Sequence, residues 1–142
     1  MESTGSTRPK ASFALRLGAA LIDGFILTVA SAGLRWVVGD VLGQVVSGVI
    51  GLAYYVYLEG SDLGQTLGKK VVGIRVVDIA GAGPIGYGRA TVRYLGRFVS
   101  AIPLGLGYLW MLWDDQKQTW HDKFARSMVV PVSAYPVGND AA

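Results

Sequence analysis

Residues 17–34 restrict the fold more than any other part of the sequence. They form a run of eighteen residues with a single charged side chain, Asp23. A helix of this length rises about 27 Å, which is close to the thickness of the hydrocarbon core of a bilayer. Because a helix in a soluble domain usually keeps one polar face, this run predicts a transmembrane helix.

Asp23 lies about a third of the way along this predicted helix. A charged aspartate at the centre of a membrane costs roughly 2.5–3.5 kcal/mol, so acids in such helices are usually paired or functional. Two interpretations follow. Asp23 either binds a proton or a cation during transport, or it is a structural acid that Arg97, a backbone amide or a trapped water neutralises.

A second run of eighteen residues, 41–58, carries no charge. Only residues 35–40 separate the two runs, so the sequence predicts an antiparallel hairpin of transmembrane helices. Small residues recur at every fourth position and predict close packing of the two helices, unless they only reflect how common glycine is in membrane helices. These residues are Ala20, Gly24, Thr28 and Ala32 in the first run and Gly43, Ser47 and Gly51 in the second.

Lysine and arginine are unevenly distributed around the hairpin. Three precede the first run, one lies in the link 35–40, and six lie in residues 59–97. Loops rich in these residues stay in the cytoplasm. The sequence therefore predicts a multi-pass protein of the plasma membrane with a cytoplasmic N-terminus and a cytoplasmic loop 59–97.

A third apolar run, residues 98–113, has sixteen residues and contains Pro103 and two glycines near its middle. It either crosses the membrane straight, which puts the C-terminus outside, or breaks and re-enters, which returns the C-terminus to the cytoplasm. The strand-like residues 127–132 can pair with residues 71–78 only on the same side of the membrane. The re-entrant form is the one that we favour.

The predicted fold is thus an all-α membrane protein. It has an antiparallel two-helix transmembrane hairpin, a third membrane segment broken by proline and glycine, and a small cytoplasmic β element. Residues 13–132 form this membrane domain. Residues 1–12 are polar and predict a flexible N-terminal tail, and residues 133–142 predict a disordered C-terminal tail.

Arg89, Arg93 and Arg97 recur at every fourth residue and share one face of a predicted helix. The spacing favours a helix that lies in the membrane interface with its arginines on lipid head groups. In the alternative, Arg97 turns inward as the counter-charge of Asp23. Clustered basic residues suit anionic lipid head groups better than a nucleic acid, so no nucleic-acid partner is expected.

Composition argues against most enzymes. Hydrophobic residues make up 51% of the chain and charged residues 16%, whereas soluble domains have about 25% charged residues. There is no cysteine and one histidine, His121, so neither a thiol nucleophile nor a multi-histidine metal site is expected. The glycine-rich stretches 64–69 and 81–86 do not fit a phosphate-binding or a dinucleotide-binding loop. We therefore expect no catalysis, no cofactor and no bound metal.

Several marks along the chain resemble, in their order, those of the RDD membrane proteins, a family named for one arginine and two aspartates. The resemblance extends from Arg16 to about Val130, most of the chain. The marks are Arg16 at the start of the first helix, Asp23 within it, the stretch GQTLGKKVVGIRVVD, Arg93 and Arg97, and His121-Asp122-Lys123 before a valine-rich strand.

The resemblance implies a set of site residues. Arg16 and Asp23 match the arginine and the first aspartate, and Asp122 is preferred to Asp78 as the second aspartate. Asp122 is also expected to cap a cytoplasmic turn or to pair with a base of the loop such as Lys69. The supporting polar residues are Arg93, Arg97, Lys69 and His121.

The resemblance also implies an integral membrane protein involved in transport, and exchange of ions or protons has been suggested within the family. One hypothesis is a small transporter, or a transporter subunit, that couples cations or protons through Asp23. Three membrane segments do not easily enclose a pathway, so this hypothesis requires a homo-oligomer, a dimer or larger. The alternative is a membrane adaptor or scaffold that does not transport and binds anionic lipid or a partner protein through its basic loop.

Overall fold

Helices account for most of the structure, a computed structural model that describes residues 9–101 and 105–135. Two strands, β1 Ile74–Asp78 and β2 Ser127–Pro131, form one small sheet. The helices are α1 Phe13–Val38, α2 Asp40–Gly60, α3 Leu67–Val72, α4 Gly86–Ala101, α5 Leu106–Leu109 and α6 Trp120–Phe124, with a 3₁₀ turn at Trp110–Leu112 after α5. The prediction of a mostly helical fold with one small β element is confirmed.

α1 and α2 are long and apolar enough to cross a membrane, and they are the two single helices among the described residues that meet this condition. Ser12 caps α1, because its Oγ accepts a hydrogen bond from the Leu15 amide at 3.2 Å. Gly39 alone separates the two helices and has a φ of 94°, a conformation that favours glycine. Both predicted apolar runs are therefore helical, and both helices extend beyond the predicted bounds.

The contacts between α1 and α2 show that the two helices lie antiparallel to each other. Near the connection, a Cβ added to Gly43 would lie 2.7 Å from the Cα of Arg35. Farther from the connection, Tyr54 on α2 reaches Asp23 on α1. Most large apolar side chains of these helices are exposed, as expected of surfaces that face lipid.

β1 and β2 pair in antiparallel register, with Ile74 opposite Pro131 and Asp78 opposite Ser127. Both strands have four buried residues in succession, so the sheet is covered on both faces. The sequence allowed this pairing only if both stretches lie on the same side of the membrane, and the pairing is present. It places the polypeptide that follows α2 beside the polypeptide that follows α6.

β1 is shorter than the predicted strand because the preceding residues form α3. Thr66 caps this helix at its N-terminus, and Gly73 ends it with a φ of 77°. Valine at positions 71 and 72 suggested a strand, but the cap and the terminal glycine favour one and a half turns of helix instead. α3 matters for the site, because it carries the backbone amide of Gly68 to α1.

Residues within both stretches that were predicted as tails contact the sheet. The Ala11 amide donates to the Val129 carbonyl at 2.9 Å, and Ala11 is buried. Tyr135 is also buried. Described structure thus extends into both stretches that were predicted as tails, while residues 1–8 and 136–142 lie outside the described residues.

α4 joins the arginine-bearing stretch to the start of the third apolar run in a single helix, so no boundary exists at residue 98. The helical residues Leu106–Leu112 follow at an angle of 111° to α4. Pro103 lies outside the described residues. The third apolar run is therefore bent, whereas a straight crossing requires a continuous helix.

Candidate functional site

Asp23 lies where α1, α2 and α3 meet, and 1% of its surface is exposed. Its Oδ1 accepts hydrogen bonds from the Tyr54 hydroxyl at 2.6 Å and from the Gly68 amide at 2.8 Å. Its Oδ2 accepts from the Thr66 hydroxyl at 2.6 Å. Of the partners considered from the sequence, a backbone amide is thus present, and Arg97 instead binds a different acid.

The approach of α3 to Asp23 depends on glycine at position 68. A Cβ at this position would lie 2.2 Å from the carbonyl oxygen of Ala19 and 2.8 Å from the Asp23 Oδ1. Thr66 precedes this glycine as the cap of α3, accepting from the Lys69 amide at 3.3 Å while it donates to Asp23. The stretch around Gly68 is therefore shaped to bring donors to the Asp23 carboxylate.

Glu59, in the last turn of α2, collects three basic side chains although 1% of its surface is exposed. Its Oε2 binds the Lys69 Nζ at 2.7 Å and the Arg97 Nη2 at 3.0 Å, and its Oε1 binds the Arg93 Nε at 3.1 Å. Burial lowers the pKa of Lys69, and the Glu59 carboxylate opposes that shift. Such a buried carboxylate requires the cations around it.

Asp122 forms the second acidic centre and is fully buried. It binds the Arg16 Nη1 at 2.7 Å and also the Arg93 Nη1. Its Oδ2 accepts from the Thr119 amide at 3.0 Å, so Asp122 caps α6 as expected. Burial alone would raise the pKa of Asp122, but Arg16 and Arg93 hold that pKa well below its ordinary value.

Contrary to the prediction, the three arginines of α4 do not form a row that faces lipid. Arg93 is 1% exposed, because it lies between the carboxylates of Glu59 and Asp122. Arg97 binds Glu59 and stacks over the Tyr55 ring, with its guanidinium carbon 4.0 Å from the ring centroid. Arg89, at 2.9 Å from Asp78, is the most exposed member of the row, with 32% of its side-chain surface exposed compared with 18% for Arg97.

His121 is 2% exposed and packs between two hydroxyl groups. Its Nδ1 lies 3.1 Å from the Ser100 Oγ, and its Nε2 lies 3.0 Å from the Thr119 Oγ1. Burial lowers the pKa of His121 well below its ordinary value, so the imidazole is neutral at pH 7. No group of three or more His, Cys, Asp or Glu side chains in residues 9–101 and 105–135 is placed to hold a metal ion.

These clusters surround a cavity of about 400 Å³ between the start of α1, α4 and α5, which we call the cationic cavity. Asp23 is its single acidic lining residue. The basic lining residues are Arg16, Lys69, Arg93 and Arg97, and the larger apolar ones are Phe13, Leu17, Leu109 and Met111. Even when Glu59 and Asp122 are included, four basic groups face three acidic groups, so positive charge is in excess.

A groove of about 360 Å³ lies between α1 and α2 on the other side of Asp23. Members of both predicted ridges of small residues line it, among them Thr28 on α1 and Ser47 on α2. The buried Ser47 Oγ has no hydrogen-bond partner among the described residues. Asp23 lines the cavity and the next residue, Gly24, lines the groove, so the Asp23 cluster lies between the two spaces.

The sequence profile of the RDD family matches residues 10–126, most of the chain. The chain belongs to the RDD family. With its two long apolar helices, it is an RDD-family membrane protein. No solved structure matches the chain at a significant level.

Three curated relatives illustrate the range of RDD proteins. The proline-rich antigen homolog of Mycobacterium tuberculosis is 37% identical over 66% of this chain and 41% of that protein. The proline-rich antigen of Mycobacterium leprae is 37% identical over 55% of this chain and 31% of that protein. The uncharacterized protein YxaI of Bacillus subtilis is 27% identical over 84% of this chain and 96% of that protein. The chain thus spans between 31% and 41% of the length of the mycobacterial relatives.

The three residues that the resemblance matched to the family's arginine and aspartates lie in two neighbouring clusters. Arg16 and Asp122 form a direct ion pair, although 106 positions separate them in the sequence. Asp23 belongs to the other cluster, with hydroxyl and amide donors. Asp78, the alternative to Asp122, lies at the end of β1 and binds Arg89 outside the cationic cavity. Lys69 also differs from the prediction, because its partner is Glu59 and not Asp122.

Glu59 is the central residue that the sequence analysis did not identify. It is the first charged residue after the uncharged run 41–58, and six basic residues follow it within 59–97. An isolated acid at the end of a membrane helix, followed by so many bases, is a signal for a buried ion-pair centre. Tyr54 and Thr66 were missed as well, since their hydroxyl groups give no comparable signal.

Gly68→Ala is expected to destabilise the protein by roughly 1–3 kcal/mol, because the added methyl group forces α3 away from α1. The melting temperature of the detergent-solubilised chain, followed by circular dichroism, measures this effect. Gly88→Ala is the matched control, since a Cβ there meets nothing within 4 Å. Equal melting temperatures for the two variants would contradict the close contact at Gly68.

The buried neutral His121 predicts that acidification destabilises the fold. In the unfolded chain His121 takes up a proton near its ordinary pKa of 6.5, whereas the folded protein resists protonation. The stability is therefore present above that pKa and is lost as the pH falls below it, by up to about 2 kcal/mol between pH 7 and pH 5. Unfolding measured at both pH values should show this loss in the wild type and a smaller loss in His121→Gln. The same loss in both proteins would contradict it.

Proposed function

We propose that this RDD protein is a membrane adaptor that binds an anionic group in the cationic cavity. The observation that carries the proposal is the lining, which has four basic side chains and one acidic side chain around about 400 Å³. In a site partly shielded from water, such an excess of charge attracts anions and repels cations. A phosphate or a carboxylate matches the parallel donors of a guanidinium group.

Arg97 has hydrogen-bonding capacity that its contact with Glu59 does not use, and a bound anion would supply a further acceptor. Its Nη2 is bonded to Glu59, but its buried Nε has no acceptor among the described residues. A buried donor without a partner costs about 1–3 kcal/mol. Arg16 makes its hydrogen bonds to Asp122 and to the Lys117 carbonyl through Nη1, which leaves its other nitrogens outside these bonds. An anion in the cavity would accept from such groups.

The proposed arrangement in the plasma membrane has α1 and α2 crossing as an antiparallel hairpin. The N-terminus, α3 and the sheet then lie on the cytoplasmic side, in agreement with the excess of lysine and arginine there. The pairing of β1 with β2 supports a third segment that re-enters and does not cross, since it brings both strands to one side. The cationic cavity opens on that same side, next to the start of α1.

Transport through Asp23 is the second candidate, and one observation favours it. Asp23 is the last residue of α1 that lines the cationic cavity, and Gly24 is the first that lines the groove, so an acid lies where the two spaces approach each other along α1. Two other features weigh against it: three donors already satisfy the Asp23 carboxylate, and the surrounding positive charge opposes the entry of cations. This candidate keeps the requirement for a homo-oligomer, because so few membrane segments do not enclose a pathway.

The proposal predicts that Arg97→Gln weakens the binding of inorganic phosphate to the full detergent-solubilised chain. Loss of a charge-assisted hydrogen bond of about 1.5–3 kcal/mol weakens binding at least about tenfold. Isothermal titration calorimetry at constant ionic strength measures this binding. Arg89→Gln is the matched control, because Arg89 has the same charge on the same helix but lies outside the cavity.

Equal phosphate binding by the wild type and both variants, or by none of them, would contradict an anion site at the cavity. Proton flux in liposomes separates the second candidate. Flux that is lost in Asp23→Asn and kept in Arg97→Gln would support transport instead. No flux in the wild type, together with phosphate binding that depends on Arg97, is the result that we expect.

A further inference from the structure

The start of α1, which lines the cationic cavity, is expected at the level of a membrane's head groups. α1 has 26 residues, and a helix of that size is about 39 Å long, compared with about 30 Å for the hydrocarbon core. The first turns of α1 therefore extend into the head-group layer. Phe13, Arg16 and Leu17 belong to those turns and line the cavity.

The lining of the cavity has two chemical halves. Arg16, Lys69 and Arg97 supply the charge, whereas Phe13, Leu17 and Leu109 supply apolar surface. Leu17 is 47% exposed and Leu109 is 39% exposed, so the apolar half continues to the outer surface of the protein. A small soluble anion would use only the charged half of such a lining.

We propose that the occupant of the cationic cavity is an anionic phospholipid, whose phosphate binds Arg97 and Arg16 and whose acyl chains leave along Leu17 and Leu109. This inference rests on the proposed function and names the class of its ligand. The charge of the lining complements the phosphate, and the exposed leucines complement the chains. A zwitterionic lipid carries a positive ammonium group beside its phosphate. It therefore binds less well to a cavity that already has positive charge in excess.

The position of the tryptophans allows the proposal to be tested directly. Trp110 and Trp113 follow α5 next to the cavity lining, and the Trp120 ring at the start of α6 lies 6.0 Å from that of Trp110. Trp36, the fourth tryptophan, lies at the opposite end of α1. A Trp36→Phe background therefore reports mainly on the cavity end of the protein. The full chain in this background is placed in phosphatidylcholine vesicles that contain a small fraction of phosphatidylglycerol with brominated acyl chains, which quench tryptophan at contact.

We expect stronger quenching by brominated phosphatidylglycerol than by the same fraction of brominated phosphatidylcholine. In Arg97→Gln the two brominated lipids should quench equally, and in Arg89→Gln the preference for brominated phosphatidylglycerol should be unchanged. Leu109→Ser should weaken the quenching by brominated phosphatidylglycerol, because it removes the surface along which the chains leave. Soluble glycerol phosphate, which has no acyl chains, should bind the wild type and the Arg89→Gln variant but bind Arg97→Gln less tightly.

The outcomes separate this inference from the proposed function. If glycerol phosphate binds through Arg97 but brominated phosphatidylglycerol quenches no more than brominated phosphatidylcholine, the lipid inference is overturned and the anion site stands. If neither ligand depends on Arg97, both proposals fall. A preference for phosphatidylglycerol that is equal in Arg97→Gln and Arg89→Gln would also overturn the inference, since it would reflect the surface charge of the whole protein.

Discussion

The two buried ion pairs of Arg93 are the interaction on which the rest of the structure depends. Arg93 lies on α4 and joins Glu59, at the end of the long helix α2, to Asp122, at the start of α6. Removing one partner of a buried ion pair typically costs 3–5 kcal/mol, because the remaining charge is left without compensation. Arg93, which is almost completely buried, thus connects the two long apolar helices with the C-terminal part of the chain, together with the ion pair of Arg16 and Asp122.

The basic side chains that bind these buried acids also give the cavity beside them its positive charge. Glu59 and Asp122 together draw Arg16, Lys69, Arg93 and Arg97 into one region, and more bases than acids gather there. The bases that bind the acids on one side line the cavity on the other. The proposed site for anions therefore uses the same basic side chains that stabilise the fold. Asp23, with its own donors, contributes to the joining of three helices more than to the charge of the cavity.

Features that a single stretch of sequence contains could be predicted, and features that depend on distant partners could not. The runs 17–34 and 41–58 are apolar on all sides, so their helices followed from composition alone. The two valine-rich stretches marked candidate strands, but whether β1 pairs with β2 depended on the course of the third apolar run. α3 was not predicted, because Val71 and Val72 favour a strand. The capping Thr66 and the terminal Gly73, which favour a helix, prevail over them in the structure.

The arginines of α4 show the same limit at the site. Their spacing correctly placed Arg89, Arg93 and Arg97 on one helical face, but spacing does not reveal what lies opposite that face. Lipid phosphates and buried carboxylates satisfy a guanidinium group equally well, and the choice depended on Glu59 and Asp122. The resemblance to the RDD family pointed to Arg16 and Asp122, and their ion pair gives that signature a physical meaning.

A double-mutant cycle between Glu59→Gln and Asp122→Asn tests the central role of Arg93 most directly. The free energy of unfolding in detergent is measured for the wild type, each single variant and the double variant. Because both acids share Arg93, the two effects should depart from additivity by about 1 kcal/mol or more. The cycle of Glu59→Gln with Asp78→Asn should be additive, since Asp78 binds Arg89 instead. Additivity within about 0.5 kcal/mol for Glu59 and Asp122 would contradict the bridge through Arg93.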